Sequence, residues 1–173
     1  MSEKPYTLES DQKATPVIIG TADALIWGDL ITKAHVNIGA FLNTLAEEFV
    51  PVHDARILFL APKEQVPPLE RPLLFLKLEE ILLFFSPSDI DPLPEESETR
   101  RYEPVEILIG SFLVECQILK SPIATMQNLL LVSKDNYMNF YRGTMRHVAK
   151  PWLGSFAGNR LQVRRDRLSL IYG

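Results

Sequence analysis

The sequence predicts a mainly β protein, built as two small β-barrels in tandem that each carry a short helical segment. Three observations support this fold class. Short extended apolar runs are interrupted by Gly, Pro and acidic residues, a pattern typical of small barrels that close their own edges. An acidic segment with spaced prolines divides the chain near its middle, and the apolar positions on its two sides match. The predicted order is a flexible arm (1–15), a first barrel (16–86), a linker (87–103) and a second barrel (104–173).

Composition indicates a folded globular protein, because 46% of the residues are apolar and 23% are charged. Cys116 is the single cysteine. It excludes an intramolecular disulfide framework, and we expect a reduced, half-buried thiol. The N-terminus is polar and lacks the apolar segment of a signal peptide. Apolar runs such as 81–85 are far shorter than the ~20 residues that cross a bilayer. These features predict a cytoplasmic protein that does not engage membranes.

The first half begins with a predicted hairpin. The apolar run 17–19 leads into a turn at 20–23, and a second extended run follows at 25–31. Apolar residues at positions 38, 41, 42, 45 and 49 are spaced by three and four. This spacing predicts a short amphipathic helix that Asn37 caps. Extended patterns resume at 49–52 and 56–60.

The rest of the first half is predicted to be a loop followed by one or two strands. Segment 61–72 contains four prolines and predicts the loop. The run 73–85 predicts the strands, with a turn or an exposed face at Lys77, Glu79 and Glu80. Prolines and acidic residues alternate over 86–104, where missing backbone donors and mutual repulsion favour an extended linker.

The two halves match without a gap when the first is shifted by 88 positions. Apolar positions fall on apolar positions in both strands of the hairpin, in the helix and in the strand after it. The matched pairs are Val17–Val105, Ile19–Ile107, Leu25–Leu113, Ile26–Val114, Leu30–Ile118, Ile38–Met126, Phe41–Leu129, Leu42–Leu130 and Phe49–Tyr137. A shift of 87 places residues 81, 83 and 85 on 168, 170 and 172. The match predicts a duplication. Since each copy has roughly 65–70 residues, where a lone core is marginal, we expect the copies to pack on each other or on other chains.

The extended pattern V-x-I…L-I-x-G-x-L over 17–30, with the later strand at 81–84, resembles the two-part signature of Sm-like (SH3-like) small β-barrels. The second half shows the same pattern over 105–118 and again over 165–171. More narrowly, Gly28, the pair Leu42-Asn43 and the block from Phe49 to Ala55 are similar to a bacterial domain of unknown function that has an Sm-like barrel. The resemblance implies the barrel fold over about 16–85 and, more faintly, over 104–172.

Departures from the Sm-like pattern argue against inherited RNA binding. Sm proteins that bind RNA carry an Asp and an Asn after the glycine strand, and an Arg-Gly pair before the last strand. The first half has Ala34 near the Asp position, although Asn37 lies close to the Asn position, and its last turn is Glu79-Glu80, which would repel phosphate. In the second half Arg165 precedes Asp166 instead of glycine, and the loop reads KSPI at 120–123. The nucleotide pocket is therefore not reproduced in either half.

No catalytic, metal or cofactor motif is predicted. His35, His53 and His147 are scattered, without a second histidine or cysteine at ligand spacing, and each is expected to be an exposed or half-buried strand residue. His53 and Asp54 are neighbours on a strand and therefore point to opposite faces. The serine-nucleophile motif G-x-S-x-G and glycine-rich phosphate-binding motifs do not occur in the sequence. The sequence therefore predicts a protein that is not an enzyme and has no cofactor.

Charge divides unequally between the halves. Residues 16–88 hold five basic and nine acidic residues, whereas residues 102–173 hold nine basic and five acidic residues. The basic excess includes a candidate binding surface, formed by Arg142, Arg146, Lys150, Arg160, Arg164, Arg165 and Arg167. Candidate aromatic contacts beside it are Tyr141, Trp152 and Phe156.

Three interpretations of the basic surface stay open at this point. It could meet an acidic face within or between chains, where charge complementarity steers association. It could contact nucleic-acid phosphates, with the aromatic residues stacking on bases. It could simply lie on the solvent face of a final hairpin. The preferred function is an interaction or assembly module that binds itself or a protein partner. Nucleic-acid binding is the alternative, which the calculated pI of 5.4 disfavours.

Overall fold

Ten strands and two short helices form in the described part of the chain. The computed structural model describes residues 4–61, 63–64, 66–86 and 92–172, without the side chains of 170 and 171. The first half contains β1 (Gln12–Thr21), β2 (Ala24–Lys33), α1 (Ile38–Thr44), β3 (Phe49–Phe59), β4 (Leu69–Lys77), a 3₁₀ turn (Leu78–Glu80) and β5 (Ile81–Ser86). The second half contains β6 (Arg101–Ile109), β7 (Phe112–Lys120), α2 (Met126–Val132), β8 (Tyr137–His147), β9 (Ser155–Arg164) and β10 (Leu168–Tyr172), with 3₁₀ turns at Pro151–Leu153 and Arg165–Arg167.

The predicted mainly β class is confirmed, but hydrogen bonding does not stop at the boundary between the halves. All ten strands form one antiparallel sheet in the order β10-β6-β7-β8-β9-β5-β1-β2-β3-β4. The two halves meet where β5 pairs with β9. The sequence predicts two barrels that each close their own edges, whereas the structure has one continuous sheet whose outer strands are β10 and β4.

The composition of β5 explains why the sheet continues across the boundary. Its six residues are all buried, and five of them are apolar. A strand with one solvated face alternates apolar and polar residues, whereas an uninterrupted apolar run needs cover on both faces. Leu83 and Phe85 on one face and Phe84 on the other belong to different apolar clusters. The β5 strand therefore supports two cores at once.

Two apolar cores lie on opposite faces of this sheet. The first core is formed by the first half, with Tyr137 as its contribution from the second half. The second, here called the shared core, contains the interior of the second half and a set of first-half residues: Ile18, Leu25, Leu58, Leu60, Leu82, Leu83 and Phe85. Packing therefore connects the two halves as well as hydrogen bonding.

The predicted hairpin and helix are both confirmed. Strands β1 and β2 pair in antiparallel register, with Val17 opposite Gly28. Asn37 caps α1, because its side-chain oxygen accepts a hydrogen bond of 2.8 Å from the Ala40 amide. Ile38 and Leu42 are buried on the inner side of this helix.

Several strands extend further than the sequence pattern indicates. The predicted runs 49–52 and 56–60 belong to one strand, β3, because a β-bulge carries the chain through the intervening residues. Asp54 has a positive φ of 51° there. Strand β4 begins at Leu69, within the predicted loop. Strands β1 and β6 begin at Gln12 and Arg101, within the predicted arm and linker, because each pairs along its hairpin partner to its start. The predicted linker residues 87–91 lie outside the described residues.

The elements of the two halves correspond closely in position. Helix α2 spans Met126–Val132, and β8 spans Tyr137–His147, each 88 residues after α1 and β3. The register shift in β2 between Trp27 and Asp29 recurs 88 residues later in β7. The 3₁₀ turn Arg165–Arg167 follows the first-half turn by 87 residues. Each element of one half can therefore be compared with its equivalent in the other.

Candidate functional site

The predicted basic surface is spread along the β8–β9 hairpin, with Arg142 and Arg160 near its middle and the other cations towards its two ends. Arg146 pairs with Ser155 at one end, and Tyr137 pairs with Arg164 at the other. A strand of this length spans about 30 Å. Arg146 lies near the end that carries Lys150 and Trp152, and Arg164 near the end that carries Arg165 and Arg167. The structure therefore does not bring these cations into one continuous surface.

Four of the predicted arginines already hold other parts of the chain. Arg142 donates to the Gln117 side chain over 3.0 Å, and its guanidinium lies 4.5 Å from the centre of the Tyr102 ring. Arg160 donates to the carbonyl of Pro92, and Arg165 donates to the carbonyls of Asp135 and Leu130. Arg164 donates to the carbonyl of Leu78 over 2.8 Å and pairs with Asp166. Each of these guanidinium groups therefore takes part in at least one contact within the chain.

The predicted aromatic contacts differ in exposure. Tyr141 is buried, with its ring 5.5 Å from that of Tyr102. Phe156 is half-buried and lies 6.0 Å from the ring of Trp27. Trp152 is 51% exposed and is the one of the three with a ring available for stacking.

The joint between the halves is formed by buried side chains on two paired strands. Strand β5 lies antiparallel to β9, with Leu83 opposite Val163 and Phe85 opposite Leu161. All four side chains are fully buried. Close approach of the backbones at this joint requires glycine, because a Cβ on Gly158 would lie 2.4 Å from the carbonyl oxygen of Ser86.

Helix α1 of the first half covers the joint by binding β8 of the second half. The Asn43 side-chain amide donates to the Tyr137 carbonyl over 3.1 Å, and its oxygen accepts from the Tyr137 amide over 2.9 Å. The Tyr137 ring packs edge-on against Phe84, with 5.6 Å between the ring centres. Burial of this ring raises the pKa of Tyr137 to about 12. The Tyr137 ring therefore packs into the first core and completes it.

The residues that form this joint have equivalents near the two outer strands, β4 and β10. In β3 and β4, Phe49 is equivalent to Tyr137 and Phe75 to Gln162. In α2, Leu131 is equivalent to Asn43. The joint residues Tyr137 and Gln162 are buried, whereas Phe49 is 44%, Phe75 is 63% and Leu131 is 75% exposed. We call the exposed side of β3 and β4 the β4 face, and the surface formed by α2 and β10 the β10 face.

Sequence reasoning missed both faces as candidate sites. The alignment of the halves already paired Phe49 with Tyr137, which was the available signal. Its importance depends on the pairing of β5 with β9, because only that contact shows that Tyr137 is covered while Phe49 is not.

The groups that could carry chemistry are dispersed or buried. Burial raises the pKa of the Cys116 thiol to about 12, and its exposure of 6% is lower than the half-buried state that the sequence predicts. Within the described ranges, no three His, Cys, Asp or Glu residues are placed to hold a metal ion. An apolar groove of about 490 Å³ is lined by Trp27, Arg56, Leu58 and Pro68.

Comparisons with protein-family models, curated proteins and solved structures give no match to this chain. In the part of the chain that the structure describes, no helix combines the length and the hydropathy that crossing a bilayer requires.

Proposed function

We propose that this chain is a non-enzymatic assembly module whose copies join head to tail, the β4 face of one copy binding the β10 face of the next. The observation that carries the proposal is the β5–β9 joint. That joint pairs the last strand of one half with the fourth strand of the other. In the described sheet, β10 and β4 are likewise a last and a fourth strand, and each has a neighbour on one side only.

Exposed apolar side chains support this partner choice. In the internal joint, Tyr137 packs against Phe84 beneath α1. In the proposed contact, Phe49 takes the place of Tyr137, and Leu131 takes that of Asn43. Both replacements are apolar and both are exposed in the single chain. An edge strand with exposed aromatic residues is a template for pairing with another chain.

Charge supports the same orientation. The β4 face belongs to the half with the acidic excess and the β10 face to the half with the basic excess. At the outer surface of the second half, Glu106 and Arg146 stand where the first half has Ile18 and Leu58. The contact between copies is therefore more polar than the internal joint. Since the faces differ, the contact is heterologous and closes a ring or extends a filament.

Each half is further proposed to be a small Sm-like barrel that shares its edges with neighbours. The support is the repeated order of five strands, in which the last strand pairs with the first, together with a short helix after the second strand. This arrangement agrees with the resemblance of residues 17–30 and 105–118 to the Sm-like pattern. The chain is proposed to work in the cytoplasm.

Sedimentation velocity over a range of protein concentrations tests the assembly. We expect species larger than one chain at about 0.05 M salt, and weaker association at about 0.5 M salt, because the attraction between the oppositely charged halves is screened. Phe75→Glu should weaken association by about tenfold or more, since truncation of a central aromatic contact costs ~2 kcal/mol. Trp152→Glu, which changes another exposed aromatic residue away from both faces, should leave association unchanged.

A monomer at every salt and protein concentration would overturn self-assembly. An oligomer that tolerates Phe75→Glu would overturn the assignment to the β4 face. The alternative function, binding of a nucleic-acid backbone by the basic half, has less support because four of its arginines are engaged within the chain. A titration with single-stranded RNA at about 0.05 M salt, without measurable affinity, would dismiss it.

A further inference from the structure

The N-terminal arm is attached to the first half at two points. At its far end, Lys4 donates to Asp29 over 2.9 Å and to Asp54 over 2.8 Å, and Tyr6 donates to the same oxygen of Asp29 over 2.5 Å. At its near end, Lys33 pairs with Asp11 over 2.6 Å. The residues between these points, 7–10, are exposed. This arrangement is that of a strap, with a hinge beside β1 and a polar fastening at Lys4 and Tyr6.

The fastening depends on charge because Asp29 is buried. Its side chain is 8% exposed, whereas that of Lys4 is 55% exposed. A buried carboxylate without a counter-ion is strongly unfavourable. Hydrogen bonds to Asp54 and Asp29 raise the pKa of Lys4, and burial followed by the bond to Asp29 raises the pKa of Tyr6 to about 12. Both groups therefore stay protonated, as donors, around neutral pH.

The second half builds the same corner without a strap. Gln117 and Arg142 stand at the positions equivalent to Asp29 and Asp54, and Arg142 donates directly to the Gln117 side chain over 3.0 Å. Arg142 also shares the positive φ of Asp54. The first half therefore has two carboxylates, Asp29 and Asp54, where the second half has a hydrogen-bonded pair of side chains. Because two carboxylates repel each other, they need a cation from elsewhere in the chain.

The strap also borders the β4 face. The Tyr6 ring lies edge-on to His53, with 5.2 Å between the ring centres. His53 is the cross-strand neighbour of Leu73 in β4. In the internal joint the residue equivalent to His53 is Tyr141, which is likewise covered by an aromatic ring, that of Tyr102. When the strap is closed, Tyr6 therefore covers His53 at the edge of the β4 face, as Tyr102 covers Tyr141 beside the internal joint.

We propose that the N-terminal arm is a releasable strap with Lys4 as its switch: loss of the Lys4 charge opens it and weakens the β4 face for a second copy. The opening itself depends only on the contacts of Lys4 and Tyr6. The effect on assembly rests on the proposed function. Any change that neutralises the Lys4 amine acts on this switch.

Chymotrypsin cleavage after Tyr6 measures the opening in dilute protein, because the closed strap holds this side chain on Asp29 and His53. Lys4→Gln should increase the cleavage rate at least about tenfold, because it removes charge-assisted hydrogen bonds to a buried carboxylate. Lys4→Arg keeps the charge and should stay close to the wild-type rate. Lys134→Gln, the same change of charge in an exposed loop, is the matched control. Asp54→Asn removes only the exposed carboxylate and should give an intermediate rate without disturbing the buried Asp29.

The two proposals fail in different ways. Equal cleavage rates for wild type, Lys4→Gln and Asp54→Asn, with circular dichroism showing all three folded, would overturn the strap whatever the assembly does. Faster cleavage of Lys4→Gln in a protein that never associates would support the strap and refute its link to assembly. Faster cleavage together with at least about tenfold weaker association supports both.

Discussion

Among single residues, His147 differs most clearly from its prediction: the sequence predicts an exposed or half-buried histidine, whereas the structure buries it. His147 ends β8 and is 6% exposed, with its ring edge-on to Phe112 at 5.0 Å between ring centres. Its Nδ1 atom is buried without a hydrogen-bond partner. Burial, followed by the nearby charge of Lys150, lowers the pKa of His147 below its ordinary value of 6.5. His147 is therefore neutral in the folded protein and resists protonation.

This histidine should make the protein sensitive to acid. Because its pKa is lower when folded, its contribution to stability is complete above pH 6.5 and is lost as pH falls through the folded value. His147→Phe removes this pH-dependent contribution to the free energy of unfolding. The wild-type free energy of unfolding in urea should therefore fall more steeply below pH 6.5 than that of His147→Phe, by about 1.4 kcal/mol per unit of pKa depression.

The exposed His35 provides the control for this measurement. His35→Gln, a substitution at a surface histidine, is measured alongside. Parallel curves for wild type and His147→Phe between pH about 7.5 and about 5 would show that protonation of His147 is not linked to unfolding.

At the scale of elements, the β5–β9 joint depends on a residue without a side chain. Gly158 lies in β9, and a Cβ there would also lie 2.8 Å from a ring carbon of Phe85. Neither the backbone of β5 nor a fully buried aromatic ring can move away cheaply. The close approach of the two strands is thus set by Gly158, in the same way that other sheets use glycine where backbones meet.

Gly158→Ala should consequently destabilise the protein by about 1–3 kcal/mol, the usual cost of overpacking a filled site. Urea unfolding followed by circular dichroism measures the change. Ala157→Ser adds one atom to the neighbouring exposed position of the same strand and should change stability by less than about 0.5 kcal/mol. Equal stability of Gly158→Ala and wild type would mean that β5 and β9 do not approach as closely as described.

At the scale of the whole molecule, the shared core makes the halves dependent on each other. First-half residues such as Leu25 and Leu58 are buried in the same cluster as Val114 and Phe140 of the second half. In return, Tyr137 completes the first core. Unfolding either half would expose apolar surface of the other, and the cost of that exposure favours cooperative unfolding.

We therefore expect both halves to unfold in one transition. Trp27 belongs to the first half and Trp152 to the second, so Trp152→Phe and Trp27→Phe variants each retain one fluorescent reporter. Once corrected for the effect of each substitution on total stability by circular dichroism, the fluorescence midpoints in urea should coincide with the circular dichroism midpoints. Two separated transitions would instead show that each half is an independent folding unit.

The local elements were predictable because their signals are local. Asn37 and the spacing of Ile38 and Leu42 define α1, and the alternating residues of β1 and β2 define a hairpin. The bulge at Asp54 was not predictable, since it joins two extended runs through a backbone conformation that aspartate adopts only rarely. The layout of the predicted basic surface was not predictable either, because the positions of Arg146 and Arg164 in the sequence do not give the distance between their side chains in the fold.

The strand-rich class, the helix positions and the register between the halves follow from local sequence, because propensity and periodicity act over a few residues. Only the tertiary structure decided that β5 pairs with β9, that Tyr137 is covered while Phe49 and Phe75 are exposed, and that Lys4 neutralises the buried Asp29. Pairing between distant strands is selected by the packing of both faces at once. A buried charge likewise requires whichever partner the fold brings close, however far apart the two lie in the chain.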